Sequence, residues 1–119
     1  MERRLVMEPF MRVYLLDENH KKFFGEGPCR LLHAIEQTGS LRGAARQMDM
    51  AYTKALAILK QAEATLGYPL TTRNIGGKGG GGSSLTPEAK EFLEKYEAYR
   101  DTCYEACNRI YHQFFSEQS

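Results

Sequence analysis

Tryptophan is absent from the 119 residues, and cysteine occurs only at positions 29, 103 and 107. Three thiols are too few for a disulfide scaffold, so a reducing, cytoplasmic setting is expected. No apolar run reaches the roughly 18 residues of a membrane span, so no membrane partner is expected. MERRLVMEPFMRVYLL begins with a basic pair, but Glu8 and Arg12 interrupt its apolar stretch, which argues against a signal peptide. His20, His33 and His112 lie far apart with no triad or metal spacing, and nothing resembles a catalytic constellation. An enzyme is not expected, and neither a metal nor a cofactor is implied. Charge of one sign is also lacking, since the net charge is +1. The remaining composition, 42% apolar and 26% charged, is that of an ordinary globular chain, and the length suits one domain over 1–119.

The distribution of charge says more than its sum. Residues 1–39 balance six basic against six acidic side chains. Residues 40–84 hold Arg42, Arg46, Lys54, Lys60, Arg73 and Lys78 against Asp49 and Glu63, a net +4, while residues 85–119 net −3. A local basic stripe of this kind is the electrostatic footprint of a phosphate-backbone binder. Within it lies the most unusual stretch, NIGGKGGGGSSLTP, with six glycines and one lysine in positions 76–82.

The chain's patterning predicts an α+β, mostly helical domain. FMRVYLLDENHKKFFG reads as a hairpin, with aromatic and β-branched residues over 10–16, a DENH turn and a KKFF return, within an N-terminal unit 1–25. Pro28 suits a first helical turn, and Leu31, Leu32 and Ile35 keep helical spacing up to a stop at Gly39. Ser40 caps LRGAARQM, whose inner face is Leu41, Ala44, Ala45 and Met48, with Arg42 and Arg46 outside. A short turn at Asp49 and Met50 leads to a helix over about 51–66. Its inner side is Ala51, Ala55, Ile58, Leu59, Ala62 and Leu66. Thr53, Ala57, Lys60 and Ala64 form a small, groove-sized outer face with Lys54 and Gln61 at its edge. YPLTTRN and SSL read as strands around a wing at 75–83. Thr86 caps a last helix, 87–115, with Pro87 at its first position.

The glycine run has three readings. A nucleotide-binding P-loop needs Ser or Thr directly after GK, where its hydroxyl holds Mg²⁺; here Gly79 follows Lys78. A slack Gly/Ser linker is possible on composition, but strand-like segments and a capped helix flank the run closely. A hairpin tip that approaches phosphates fits better. Two helices joined by a tight turn and followed by strand–loop–strand make a winged helix-turn-helix over 28–86.

The stretch from Thr38 to Tyr96 resembles the N-terminal DNA-binding domain of the molybdate-responsive regulators of the ModE type. More distantly it is similar to the DNA-binding domain of LysR-type regulators. The carrying motifs are T-G-S at 38–40, A-A-R at 44–46, M-x-Y at 50–52, G-G-K-G-G-G-G at 76–82 and L-T-P at 85–87. The resemblance implies a regulator of transcription that binds double-stranded DNA. Helix 51–66 would enter the major groove, and the wing would touch backbone or minor groove. It assigns DNA contact to Tyr52, Thr53, Lys54, Ala57 and Lys60 in the helix, and to Arg73 and Lys78 in the wing. Ser40 would place the N-terminus of the preceding helix against a phosphate, and Arg42 is a further expected DNA contact. Two positions depart from the family. Ala51 stands where Ser or Thr usually caps the recognition helix, a loss of about 1 kcal/mol. Asp49 replaces a frequent turn glycine. A winged domain that contacts protein instead of DNA is the alternative these departures leave open. Full-length members continue into an oxyanion-binding module, and the expectation is that this molybdate-binding module is absent from this chain.

The last helix, about 40 Å long at 1.5 Å per residue, is expected to outreach its domain and pair with a second copy. Tyr99, Cys103, Cys107, Ile110 and Phe114 are the expected interface of that homodimer. The alternative is a helix folded back on its own hairpin. Cys103 and Cys107 share a face and read as packing residues, with an inter-subunit disulfide or redox role as the other possibility. His112 lies on the opposite side, and two thiolates are too few for a closed zinc site.

Overall fold

The computed structural model describes residues 6–74 and 82–115. Its order is β1 (Leu15–Leu16), β2 (Lys22–Phe24), α1 (Glu26–Thr38), α2 (Leu41–Gln47), α3 (Tyr52–Leu66), β3 (Thr71–Asn74), β4 (Gly82–Leu85) and α4 (Pro87–Phe115). β1 and β2 form one antiparallel pair, and β3 and β4 form another. This is the winged helix-turn-helix arrangement, preceded by a hairpin and followed by a long helix.

Local sequence sets most of the boundaries. Gly39 ends α1 in the left-handed region at φ 83°, and its N–H donates to the Ile35 carbonyl. Ser40 starts α2, its Oγ accepting the Gly43 N–H at 2.8 Å. Asp49 takes φ 54° in the α2–α3 turn, a conformation Asp tolerates better than most side chains. Gly67 ends α3 at φ 86°. Thr86 Oγ1 accepts the Ala89 N–H at 3.0 Å and donates to the Pro69 carbonyl, so the cap of α4 is also tied to the entry of β3.

Three boundaries differ from the sequence reading. α1 begins at Glu26, two residues before Pro28, which sits in its first turn as expected. Ala51 precedes α3 as an exposed cap residue without a side-chain hydrogen bond, so it does not belong to the helix's inner face. The first hairpin is much shorter than residues 10–16 suggested. Residues 10–14 find no strand partner, and Val13 instead gives its carbonyl to the buried Tyr96 hydroxyl of α4 at 2.6 Å.

The core lies where α1, α2, α3 and the first three turns of α4 meet. Leu31, Leu32 and Ile35 from α1 pack with Ala44, Ala45, Ala55, Leu59 and Ala62, and Leu70 and Leu85 close it from the wing side. Phe24 anchors the hairpin, its ring edge-on to Phe92 at 4.8 Å and to Tyr96 at 4.9 Å. Edge-to-face aromatic pairs add about 0.5–1.5 kcal/mol each beyond their burial. α4 buries Ala89, Leu93 and Tyr96, then runs on past the domain. The Cα radius of gyration of 18.8 Å exceeds the roughly 13.5 Å of a compact domain this long. The extension comes from α4.

Candidate nucleic-acid interface

The wing is fixed to the helix-turn-helix through its second strand. β4 pairs with β3 in the register Thr72–Ser84, Arg73–Ser83 and Asn74–Gly82. The Ser83 N–H also donates to the Gly39 carbonyl at 2.6 Å, joining β4 to the α1–α2 corner. Gly82 is required for that approach, because a Cβ there would lie 2.6 Å from the Gly39 oxygen. From the other side, Glu63 of α3 accepts the Leu70 N–H at 2.8 Å. The wing base is therefore held by α1 and α3 together.

This anchoring creates a cleft of about 330 Å³ lined by Ser40, Leu41, Arg42, Tyr52, Arg73, Gly82 and Ser83. It is continuous, through Arg42 and Tyr52, with a second hollow along Ala45, Arg46, Asp49, Met50 and Ala51. The Arg42 guanidinium stacks over the Tyr52 ring, 4.5 Å from its centroid. Among the described residues, Arg42, Arg46 and Arg73 have no carboxylate within 4.0 Å. Arg42 and Arg73 thus face one cleft that no carboxylate lines, with Arg46 beside Asp49 in the adjoining hollow, and a polyanion is the natural complement.

The expected contact residues divide into groups. Ser40, Arg42, Tyr52 and Arg73 meet at the cleft. Tyr52 packs against α2 through Arg42 and is still 37% exposed. Thr53, Ala57 and Lys60 lie exposed along α3, with Lys60 3.7 Å from Glu63. Lys54 is exposed but borders a different groove, between α3 and the N-terminal segment, with Phe10, Val13, Phe24, Ile58 and Tyr104. Gln61 at the same edge donates to the Lys22 carbonyl at 2.9 Å, so it holds the hairpin instead of facing outward freely. Lys78 and residues 75–81 of the wing lie outside the described residues. Arg46, absent from the expected contacts, lines the hollow beside Asp49. Its four-residue spacing from Arg42 was the available signal.

Residues 29–90, more than half of the chain, match the bacterial regulatory helix-turn-helix proteins of the lysR family. The chain belongs to that family. Membership makes residues 29–90 a bacterial regulatory helix-turn-helix domain. The transcriptional regulator ModE of Haemophilus influenzae is 38% identical over 73 residues, which are 61% of this chain and 29% of the relative. The molybdenum transport protein ModE of Herbaspirillum seropedicae is 44% identical over 63 residues, 53% of this chain and 23% of the relative. The protein of the same name from Azotobacter vinelandii is 32% identical over 101 residues, 85% of this chain and 37% of the relative. The matched stretches therefore span between 23% and 37% of these curated relatives.

The side chains of the far half of α4 divide into exposed and packed groups. Tyr99, Ile110 and Phe114 are exposed, at 54%, 48% and 75%, and Phe115 joins them. Cys103 instead packs against the core cluster, and Cys107 borders a shallow hollow with Glu8, Pro9, Phe10 and Met11. The Tyr111 hydroxyl donates to the Met7 carbonyl at 3.1 Å. The N-terminal segment thus covers one side of the helix, where the Tyr96 and Tyr111 hydroxyls donate to its Val13 and Met7 carbonyls, and it leaves another side bare. Among the described residues no helix is long and apolar enough to cross a membrane.

Proposed function

We propose that this protein is a sequence-specific transcriptional regulator that binds duplex DNA as a homodimer. The carrying observation is the single cleft between the α2 and α3 N-termini and the wing base, which gathers Arg42, Arg73 and Tyr52 with no internal carboxylate. In this reading α3 lies in the major groove. Thr53 and Ala57 meet base edges through hydroxyl and methyl contacts, while Arg42, Arg46, Lys60 and Arg73 neutralise phosphates. The wing, with Lys78, follows the adjacent backbone or minor groove. Lys54, turned toward the N-terminal segment, contributes at the flank of the helix.

The bare side of α4 supports the dimer. Tyr99, Ile110, Phe114 and Phe115 expose aromatic and aliphatic surface on a helix that extends beyond its own core. Two-fold pairing there would set two copies of α3 about 34 Å apart, matching half-sites one helical turn apart. The single domain of 1–119 then divides into the hairpin unit 1–25, the winged helix-turn-helix 28–86 and the dimerisation helix 87–115.

Selection from a random duplex library tests this directly. Recovery of a pseudo-palindromic sequence with half-sites one turn apart is expected. A pool that stays random while the protein captures a protein partner would favour the interaction-module reading instead.

A further inference from the structure

We propose that Cys29, His33 and Glu97 form a binding site for one divalent transition-metal ion, zinc by its donor set, that joins α1 to α4. The site goes beyond the DNA-binding reading and does not depend on it, since none of these residues lines the cationic cleft.

Cys29 and His33 are four residues apart, so they leave one face of α1 a turn apart. α4 crosses that face and sets Glu97 against both. His33 Nε2 lies 2.7 Å from Glu97 Oε2, and Cys29 Sγ lies 3.5 Å from the same oxygen. All three ligand atoms fall within 4.8 Å of one another. Tetrahedral zinc bonds of about 2.0–2.3 Å place ligand atoms about 3.3–3.8 Å apart, so side-chain shifts of about 1 Å receive the ion.

The surroundings agree with this chemistry. A thiolate, an imidazole and a carboxylate suit zinc, whereas magnesium and calcium take oxygen ligands. A dication with one thiolate and one carboxylate is neutral overall. That matters because the Arg100 guanidinium, held by Glu26 at 3.1 Å, stands 3.9 Å from Cys29 Sγ. With Nε2 on the metal, His33 Nδ1 faces Glu36 at 3.9 Å, the kind of outer carboxylate partner that orients metal-bound imidazoles. Cys29 forms a buried floor, while His33 and Glu97 keep 42% and 30% of their side-chain surface exposed. The fourth coordination position therefore opens to water. The thiol proton passes to solvent as the sulfur–metal bond forms, and no electron is transferred.

The test is titration of the metal-stripped full chain with Co²⁺, followed by Zn²⁺. One Co²⁺ per chain is expected, with a near-ultraviolet thiolate-to-cobalt band and the visible intensity of four-coordination, both abolished by zinc. The Cys103→Ser/Cys107→Ser double variant keeps the band. Adding Cys29→Ser removes it, and His33→Gln or Glu97→Gln weakens Co²⁺ binding more than about tenfold. Glu97 is partly exposed on a long helix, so its variant remains informative if Cys29→Ser does not fold. Absence of a thiolate band in the natural chain overturns the site, as does a band that survives Cys29→Ser or is lost in the double variant.

Discussion

Arg42 in the first turn of α2 and Tyr52 at the start of α3 form a cation–π pair, guanidinium to ring centroid 4.5 Å. The pair fixes a cation at the point where the two helices of the helix-turn-helix face the wing. Such contacts are worth about 0.5–1 kcal/mol at exposed sites. Tyr52→Phe keeps the ring and is expected to leave duplex affinity within about twofold. Tyr52→Ala frees Arg42 and is expected to weaken binding about two- to fivefold or more. Fluorescence anisotropy on a labelled duplex compares the two variants.

Gly82 and Gly39 make a backbone contact that no larger residue at position 82 permits. Gly82→Ala forces β4 away from the α1–α2 corner, at a cost of about 1–3 kcal/mol typical of overpacking. The Ser83 hydrogen bond to Gly39 is lost with it, and Arg73 loses its place in the cleft. Lower thermal stability and weaker DNA binding are expected together. An unchanged melting temperature would show that the wing base is not held in this way.

Tyr96 and Val13 join α4 to the N-terminal segment through a buried 2.6 Å hydrogen bond. Tyr96→Phe strips the Val13 carbonyl of its donor, a loss of about 1–3 kcal/mol. Burial also pushes the Tyr96 hydroxyl from 10.0 up to about 12. The folded chain holds this proton where the unfolded one has released it. Its stabilising contribution is therefore complete below pH 10 and lost between 10 and about 12. Urea unfolding near neutral pH and at about pH 11 should show this fall, and Tyr96→Phe should lessen it.

The scaffold was legible in the sequence because short-range chemistry sets it. Ser40 and Thr86 cap helices through their own hydroxyls, and Gly39 and Gly67 occupy left-handed positions that exclude most side chains. The exposed side of α3 followed from helical spacing alone. Residues 10–14 misled for the complementary reason. Their side chains favour a strand, but the Val13 carbonyl takes its hydrogen bond from the Tyr96 hydroxyl of α4, a partner 83 residues away in the chain. Lys54 and Gln61 likewise looked outward on a helical wheel, and the N-terminal segment meets that edge only in three dimensions. The Cys29–His33–Glu97 cluster shows the same limit. The four-residue spacing within α1 was visible, but Glu97 arrives from 64 residues away.

Ile110 and Phe114 stand one helical turn apart on the exposed side of distal α4. Replacing both with glutamate puts two like charges into the proposed two-fold contact. Sedimentation analysis should show a dimer for the natural chain and a monomer for this variant, with the helical content of the domain retained. A natural chain that is monomeric at concentrations where it binds DNA would remove α4 as the dimerisation element.

Salt dependence of duplex binding tests the cationic cleft most directly. Affinity measured from about 50 mM to about 200 mM salt should fall steeply and log-linearly, as phosphate neutralisation releases counterions. Arg42→Ala and Arg73→Ala should each weaken binding to all duplexes and reduce the slope by about one. Absence of binding at about 50 mM salt, or binding that ignores salt and both substitutions, would contradict the assignment of this cleft to DNA.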